Sequence, residues 1–132
     1  MNDFIIGIDA SNIRSGGGLV HLKELINSFD IDKFAIQKIV IWSCKNTLNE
    51  IDDNTWLKKC YDPFLEHNYF VRFLWQYTKL NKQISKESCD MLFVPGGSNF
   101  TKFNPIVTMS QNLLPFELKE LFRYGFSYLT LK

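Results

Sequence analysis

Apolar and polar positions come in blocks along this chain, and the period within the blocks changes from one to the next. Phe4-Ile5-Ile6-Gly7-Ile8-Asp9 is a short apolar run closed by a carboxylate. Such a run suits a strand buried on both faces of a parallel sheet. A Ser-, Asn- and Gly-rich stretch from Ala10 to Gly18 reads as a loop. Beyond it Leu19, Leu22, Leu25, Ile26 and Phe29 recur at helical spacing. Ile36 to Trp42 is a second β-rich run, and Ser43 to Asp53 is polar with room for one helical turn. Trp56 to Tyr61 reads as another strand. From Glu66 to about Ser85 the period is helical again. Phe70, Phe73, Leu74, Tyr77, Leu80 and Ile84 form the predicted inner face, with Arg72, Lys79, Lys82 and Gln83 outside.

Met91 to Val94 is a compact strand stopped by Pro95-Gly96-Gly97, and Ile106 to Met109 is the next. Pro115 suits the first turn of a helix whose apolar side is Leu118, Leu121 and Phe122. Strands alternating with helices predict an α/β fold, a Rossmann-like parallel sheet with helices on both faces. Crossovers are expected to be right-handed. The chain stays aromatic and apolar from Tyr124 to Leu131. That pattern reads as a domain incomplete at its C-terminus, with apolar surface near residues 118–131 and a tendency to self-associate.

Composition narrows the classes. At 132 residues, 45% hydrophobic and 22% charged, the chain is the size of one globular domain. A net charge of +1 gives no general pull toward nucleic acid or anionic membrane. Cys44, Cys60 and Cys89 are odd in number and far apart, and with His21 and His67 they show no metal-ligand spacing. Reduced thiols in a cytoplasmic protein are the plain reading. No apolar run approaches the roughly 18 residues of a membrane span. The first residues do not resemble a signal peptide. Peripheral contact at the inner face of a membrane is compatible with all of this. Trp42, Trp56 and Trp75 are expected in the core.

Three polar or glycine-rich segments follow predicted strands, at 11–18, 95–99 and 110–117, and should gather along one lip of the sheet. Gly16, Gly17 and Gly18, opening a helix, can present N–H groups to a phosphate, with Arg14 adding a charged hydrogen bond. A flexible turn without a ligand is an equal reading. Gly96, Gly97, Ser98 and Asn99 form a second close-approach loop, or a turn in which Asn99 bonds its own backbone. Gln111 and Asn112 can donate to and accept from sugar hydroxyls. Glu117 is the one carboxylate near them in sequence, and its plainer role is at a helix start. No Gly-Lys-Ser/Thr follows the glycines, so this is not a P-loop. Ser43-Cys44-Lys45-Asn46 stands where a nicotinamide enzyme keeps an acidic residue, which disfavours an oxidoreductase. Neither HExxH nor a Ser-His-Asp order is present.

Ile6-Gly7-Ile8-Asp9-Ala10-Ser11-Asn12 with Gly16-Gly17-Gly18, then Asp90-Met91-Leu92-Phe93-Val94-Pro95-Gly96-Gly97-Ser98, then Pro105 to Glu117, resemble in order and spacing the N-terminal domain of group-one (family four) glycosyltransferases of the GT-B fold. The resemblance implies a two-domain enzyme. It would transfer a hexose from a nucleotide-sugar donor to a glycan or lipid-linked acceptor in polysaccharide biosynthesis, with retention and without a metal or other cofactor. It implies that this chain supplies only the acceptor-side domain, truncated and inactive alone. Gly16, Gly17, Gly18 and Arg14 would then lie by the donor phosphates. Gly96, Gly97, Ser98, Asn99, Gln111, Asn112 and Glu117 would line the acceptor side. Gln111-Asn112 replaces the His-Asp pair of many relatives, so the catalytic acid or base stays unassigned. A non-catalytic sugar- or nucleotide-binding module is the main alternative.

Overall fold

The computed structural model describes residues 4–96 and 100–109. Its centre is a five-stranded sheet: β1 (Phe4–Asp9), β2 (Ile36–Trp42), β3 (Leu57–Cys60), β4 (Met91–Val94) and β5 (Ile106–Thr108). Every pair is parallel and the order is β3-β2-β1-β4-β5. The fold is α/β and Rossmann-like. Helices α1 (Gly16–Ser28) and α2 (Lys45–Asn49) follow β1 and β2. Between β3 and β4 come a 3-10 turn (Pro63–Glu66), α3 (Tyr69–Trp75), a π-helical stretch (Gln76–Leu80) and α4 (Asn81–Lys86).

Alternation along the strands divides their apolar residues between two cores. Ile6, Ile8, Ile39 and Ile41 face α1, meeting Leu22 and Ile26. Val40, Trp42, Leu92 and Val94 face the helical segments between β3 and β4, meeting Leu65, Trp75, Leu80 and Ile84, whereas Leu48 of α2 joins the first core. Trp42 and Trp75 are buried as expected, and Trp56 is half-buried against the first core. Gly7 makes room for this packing. A Cβ there would sit 3.0 Å from Trp42 Cζ3 and 3.2 Å from Cys89 Sγ.

Two sequence expectations need correction. The glycines are not a loop; Gly16–Gly18 are the first turn of α1, and Gly16, at φ 70°, makes the bend into it. The second concerns the long helical segment. Phe70, Leu74 and Tyr77 are exposed, Phe73 is half-buried, and Trp75 and Gln76 point inward instead. The cause is the π-helical stretch. Its wider turns shift the register, so the inward line from Ile84 and Leu80 continues through Gln76 and Trp75. Arg72 and Gln83, expected outside, are half-buried.

After α4, Ser88 takes φ 57° while its N–H bonds Ser85 O at 3.1 Å and Cys89 N–H bonds Ile84 O at 3.2 Å. This left-handed cap ends the helix and turns the chain into β4.

Candidate functional site

From β1 the chain steps outward through β2 to β3, returns to β4 on β1's other side, and moves on to β5. The loops leaving β1 and β4 therefore part company at their carboxyl ends, which is where ligands bind in open parallel sheets. The two loops touch there: a Cβ on Gly96 would lie 3.4 Å from Asn12 Cβ. The predicted gathering of segments 11–18 and 95–99 thus holds for the part that is described. Gly97, Ser98, Asn99, Gln111, Asn112 and Glu117 lie outside the described residues, as do the C-terminal helix and apolar tail expected beyond Pro115.

The loop after β1 is held from all sides by groups that sequence reasoning did not single out. Asp9 is 2% exposed; its Oδ1 accepts from Ser11 N–H at 3.1 Å and its Oδ2 from Gln76 Nε2 at 2.8 Å. Gln76 Nε2 also reaches Ser11 Oγ at 3.0 Å. Ser43 Oγ donates to Ala10 O at 2.8 Å, Thr47 Oγ1 to Ile13 O at 2.7 Å and Arg72 Nη1 to Ser11 O at 3.3 Å. Ser11, Ser43, Thr47 and Gln76 are all buried. A carboxylate closing an apolar strand was the available signal, but its partner lies 67 residues away. The segment is therefore a frame fixed before any ligand arrives, not a loose turn. Ser43, in the position a ribose-binding acid would occupy, belongs to this frame.

The frame delivers the start of α1 to the crevice. Ser15 sits at the N-cap in extended conformation without a side-chain cap bond, and the first turn carries no acidic residue. The leading N–H groups therefore have no side-chain oxygen from the cap. A Cβ on Gly16 or Gly17 would meet nothing within 4 Å, so backbone faces open space there. Arg14 lies between this turn and the 3-10 segment, donating through Nη2 to Leu65 O and, at 3.0 Å, to His67 O. Arg72 comes close from α3. Its pKa is lowered first by burial and then by the Arg14 guanidinium. Two neighbouring cations and an uncapped helix start make the corner electropositive. It can hold an anion; among the described residues it holds no evident general acid or base.

His21 is half-buried on α1 and His67 is exposed. The three cysteines are free thiols, and burial pushes Cys89 up to about 11. Among the described residues no group of His, Cys, Asp and Glu is placed to hold a metal ion. No described helix is long and apolar enough to cross a membrane. A separate hollow of about 340 Å³ lies beside β3, lined by Trp42, Cys60, Tyr61 and Glu87 among others. Its carboxylate is already paired with Lys58 at 2.6 Å and Lys38 at 3.1 Å.

No family model, no curated protein and no solved structure matches this chain.

Proposed function

We propose that the chain is the acceptor-side part of a glycosyltransferase that uses a nucleotide-sugar donor. One observation carries the reading: an uncapped, glycine-lined helix start follows directly on Arg14, whose charge Arg72 feels, in the loop that leaves the carboxyl end of β1. Backbone N–H groups and fixed cations at such a place suit a diphosphate, whose charge rises as the sugar departs. The sequence resemblance supplies the sugar-transfer chemistry, and the fold agrees with it. The proposal assigns these roles, which the geometry supports. Gly16–Gly18 bring N–H groups to the phosphates, Arg14 and Arg72 add positive charge, and Asp9 and Gln76 keep the frame from shifting. Gly96 lies across the crevice, on the acceptor side.

On this reading the facing domain supplies the remaining donor contacts, so the 132-residue chain binds a diphosphate weakly and transfers no sugar by itself. Titration of uridine diphosphate, pyrophosphate and uridine, followed by amide shifts in nuclear magnetic resonance, tests the site. Both diphosphates should move Arg14 and Gly16–Gly18, and uridine should not. Gly17→Ala should remove those shifts while leaving stability equal or higher, because its methyl enters ligand space rather than protein. Shifts scattered elsewhere, or unchanged in Gly17→Ala, refute the site. Sugar transfer by the purified chain refutes the division of labour.

A further inference from the structure

The hollow of about 340 Å³ beside β3 takes no part in the crevice, and it holds a donor that the fold leaves unused. Trp42, which lines it, is 1% exposed, and its Nε1 has no hydrogen-bond partner among the described residues. The direction of that N–H follows from the ring's other edge. Trp42 Cζ3 lies against β1, where a Cβ on Gly7 would be 3.0 Å away. In an indole, Cζ3 is para to Cε2, the carbon that carries Nε1. The N–H therefore points away from β1 and toward β3, where Cys60 is the register partner of Trp42. Buried donors are ordinarily paired, and an unpaired one is a cost that an entering oxygen removes. Nε1 itself is covered. The long chains beside it can give way: Gln83 is half-buried and held by a 3.4 Å bond to Asp62 Oδ2, and the Lys58 side chain is 52% exposed.

Charge gives the class of ligand. The charged groups that bear on Cys60, inside the hollow, are one carboxylate, Glu87, and three ammonium groups, Lys58, Lys38 and Lys86. Burial first, and then the Glu87 charge, push the Cys60 thiol up, so it adds no negative charge at neutral pH. Glu87 is already paired, with Lys58 at 2.6 Å and Lys38 at 3.1 Å. Asp62, beyond Gln83, has both oxygens engaged, accepting from Phe64 N–H and from Trp75 Nε1. Lys58 spends one of its three donors on Glu87, and exposed Lys86 makes no salt bridge among the described residues. Donors and positive charge are therefore both in excess, and they come from β2, β3 and the end of α4. The neighbouring hollow of about 370 Å³ differs on both counts. None of its lining side chains is a buried unpaired donor, and its Lys59 is committed to Asp53 at 2.8 Å.

We infer that this hollow binds a small organic dianion, a phosphate monoester or a dicarboxylate, through Trp42 Nε1, Lys58 and Lys86. A dianion matches three ammonium groups set against one carboxylate, and its several oxygens can accept from all three donors at once. The site rests on no part of the glycosyltransferase reading. Its nearest link to the crevice is Ser43, the residue after Trp42, whose Oγ holds Ala10 O.

The test follows the indole N–H resonances of the full chain by nuclear magnetic resonance, with glycerol 3-phosphate, succinate, glycerol and sodium chloride added at one fixed ionic strength. The Trp42 signal should move downfield and saturate with one or both dianions, and stay put with glycerol and chloride. Tighter binding of glycerol 3-phosphate assigns the site to phosphate monoesters, and tighter binding of succinate to dicarboxylates. The Trp56 indole, packed against the core on the other side of the sheet, should not respond. Lys86→Met should weaken binding about threefold to fivefold, as loss of an exposed charge partner does. Lys82→Met makes the same charge change on an exposed position of α4 outside the hollow, and should leave binding intact. Trp42→Phe should cost about tenfold or more. If that variant fails to fold, the two lysine variants decide. The inference is overturned if the Trp42 indole ignores both dianions or moves equally with chloride, or if Lys82→Met weakens binding as much as Lys86→Met. The diphosphate site is read at Gly16–Gly18, so either site can fail without the other.

Discussion

Helix α1 and the helical stretch from α3 to α4 cover opposite faces of the same sheet, and they do it by opposite means. In α1 the inner line is Leu22 and Ile26, and the exposed positions include Glu24 and Asn27. The other stretch buries Gln76 along with Trp75 and Leu80, half-buries Arg72, and turns Phe70 and Tyr77 to the outside. Hydrophobic periodicity says that a helix has two faces. Which face goes inward depends on what the sheet presents. Against α1 the sheet offers isoleucines. Against α3 it offers the Asp9 carboxylate, which must be met by donors once it is shut away from water.

Substitutions can sharpen this contrast. Ile26→Ala should cost about 3–4 kcal/mol in urea unfolding, as a cavity left under a buried aliphatic side chain does. Gln76→Leu keeps the volume but strips a donor from a buried carboxylate, and should cost about 2–3 kcal/mol. A neutral Gln76→Leu would mean that apolar packing alone orients α3, and the contrast would collapse.

The same stretch has a second polar anchor just past α4. Glu87, its side chain 11% exposed, ties this end to β2 and β3 through Lys38 and Lys58. The Lys58 hydrogen bond first, then Lys38, hold its pKa below the ordinary glutamate value. A depressed folded-state pKa stabilises the protein above the unfolded-chain value of about 4.3, and that stability is lost as pH falls through the folded value. Glu87→Gln should therefore lower the melting temperature by a few degrees at pH 7, and the gap to the parent should close in acid below about pH 4. A gap independent of pH would remove charge from the account. The smallest effect belongs to the outer face, where Phe70→Ser should change stability by no more than about 0.5 kcal/mol.

The strands were legible because most are short apolar runs with their own stops; β3, Leu-Lys-Lys-Cys, is the exception. Ile36 to Trp42 was bounded correctly from sequence, its far end marked by the polar stretch that begins at Ser43. The first helix was legible too, apart from its glycines. Those looked like a loop because glycine favours loops, yet three of them open α1. The inner face of α3 was not legible. Phe70, Phe73, Tyr77, Leu80 and Ile84 keep a regular helical spacing, and no residue type announces the π-helical shift between them. Of the candidate site, the glycines and Arg14 could be named from their place after β1. The frame of Asp9, Gln76, Ser43, Thr47 and Arg72 could not, because it exists only through bonds between residues far apart in the chain.

The place of β1 in the sheet has a consequence for how the molecule is made. The earliest of the described strands to be synthesised ends up in the middle of them, with β2 on one flank and β4 on the other. At ordinary translation speeds roughly 4–17 s pass between the appearance of Asp9 and that of Val94. Throughout that interval one edge of an isoleucine-rich ribbon hangs open beside the ribosome, and any nascent neighbour can pair with it. Birth order therefore works against this topology, and a chaperone that shields the N-terminal residues until β4 emerges would raise the yield of native protein.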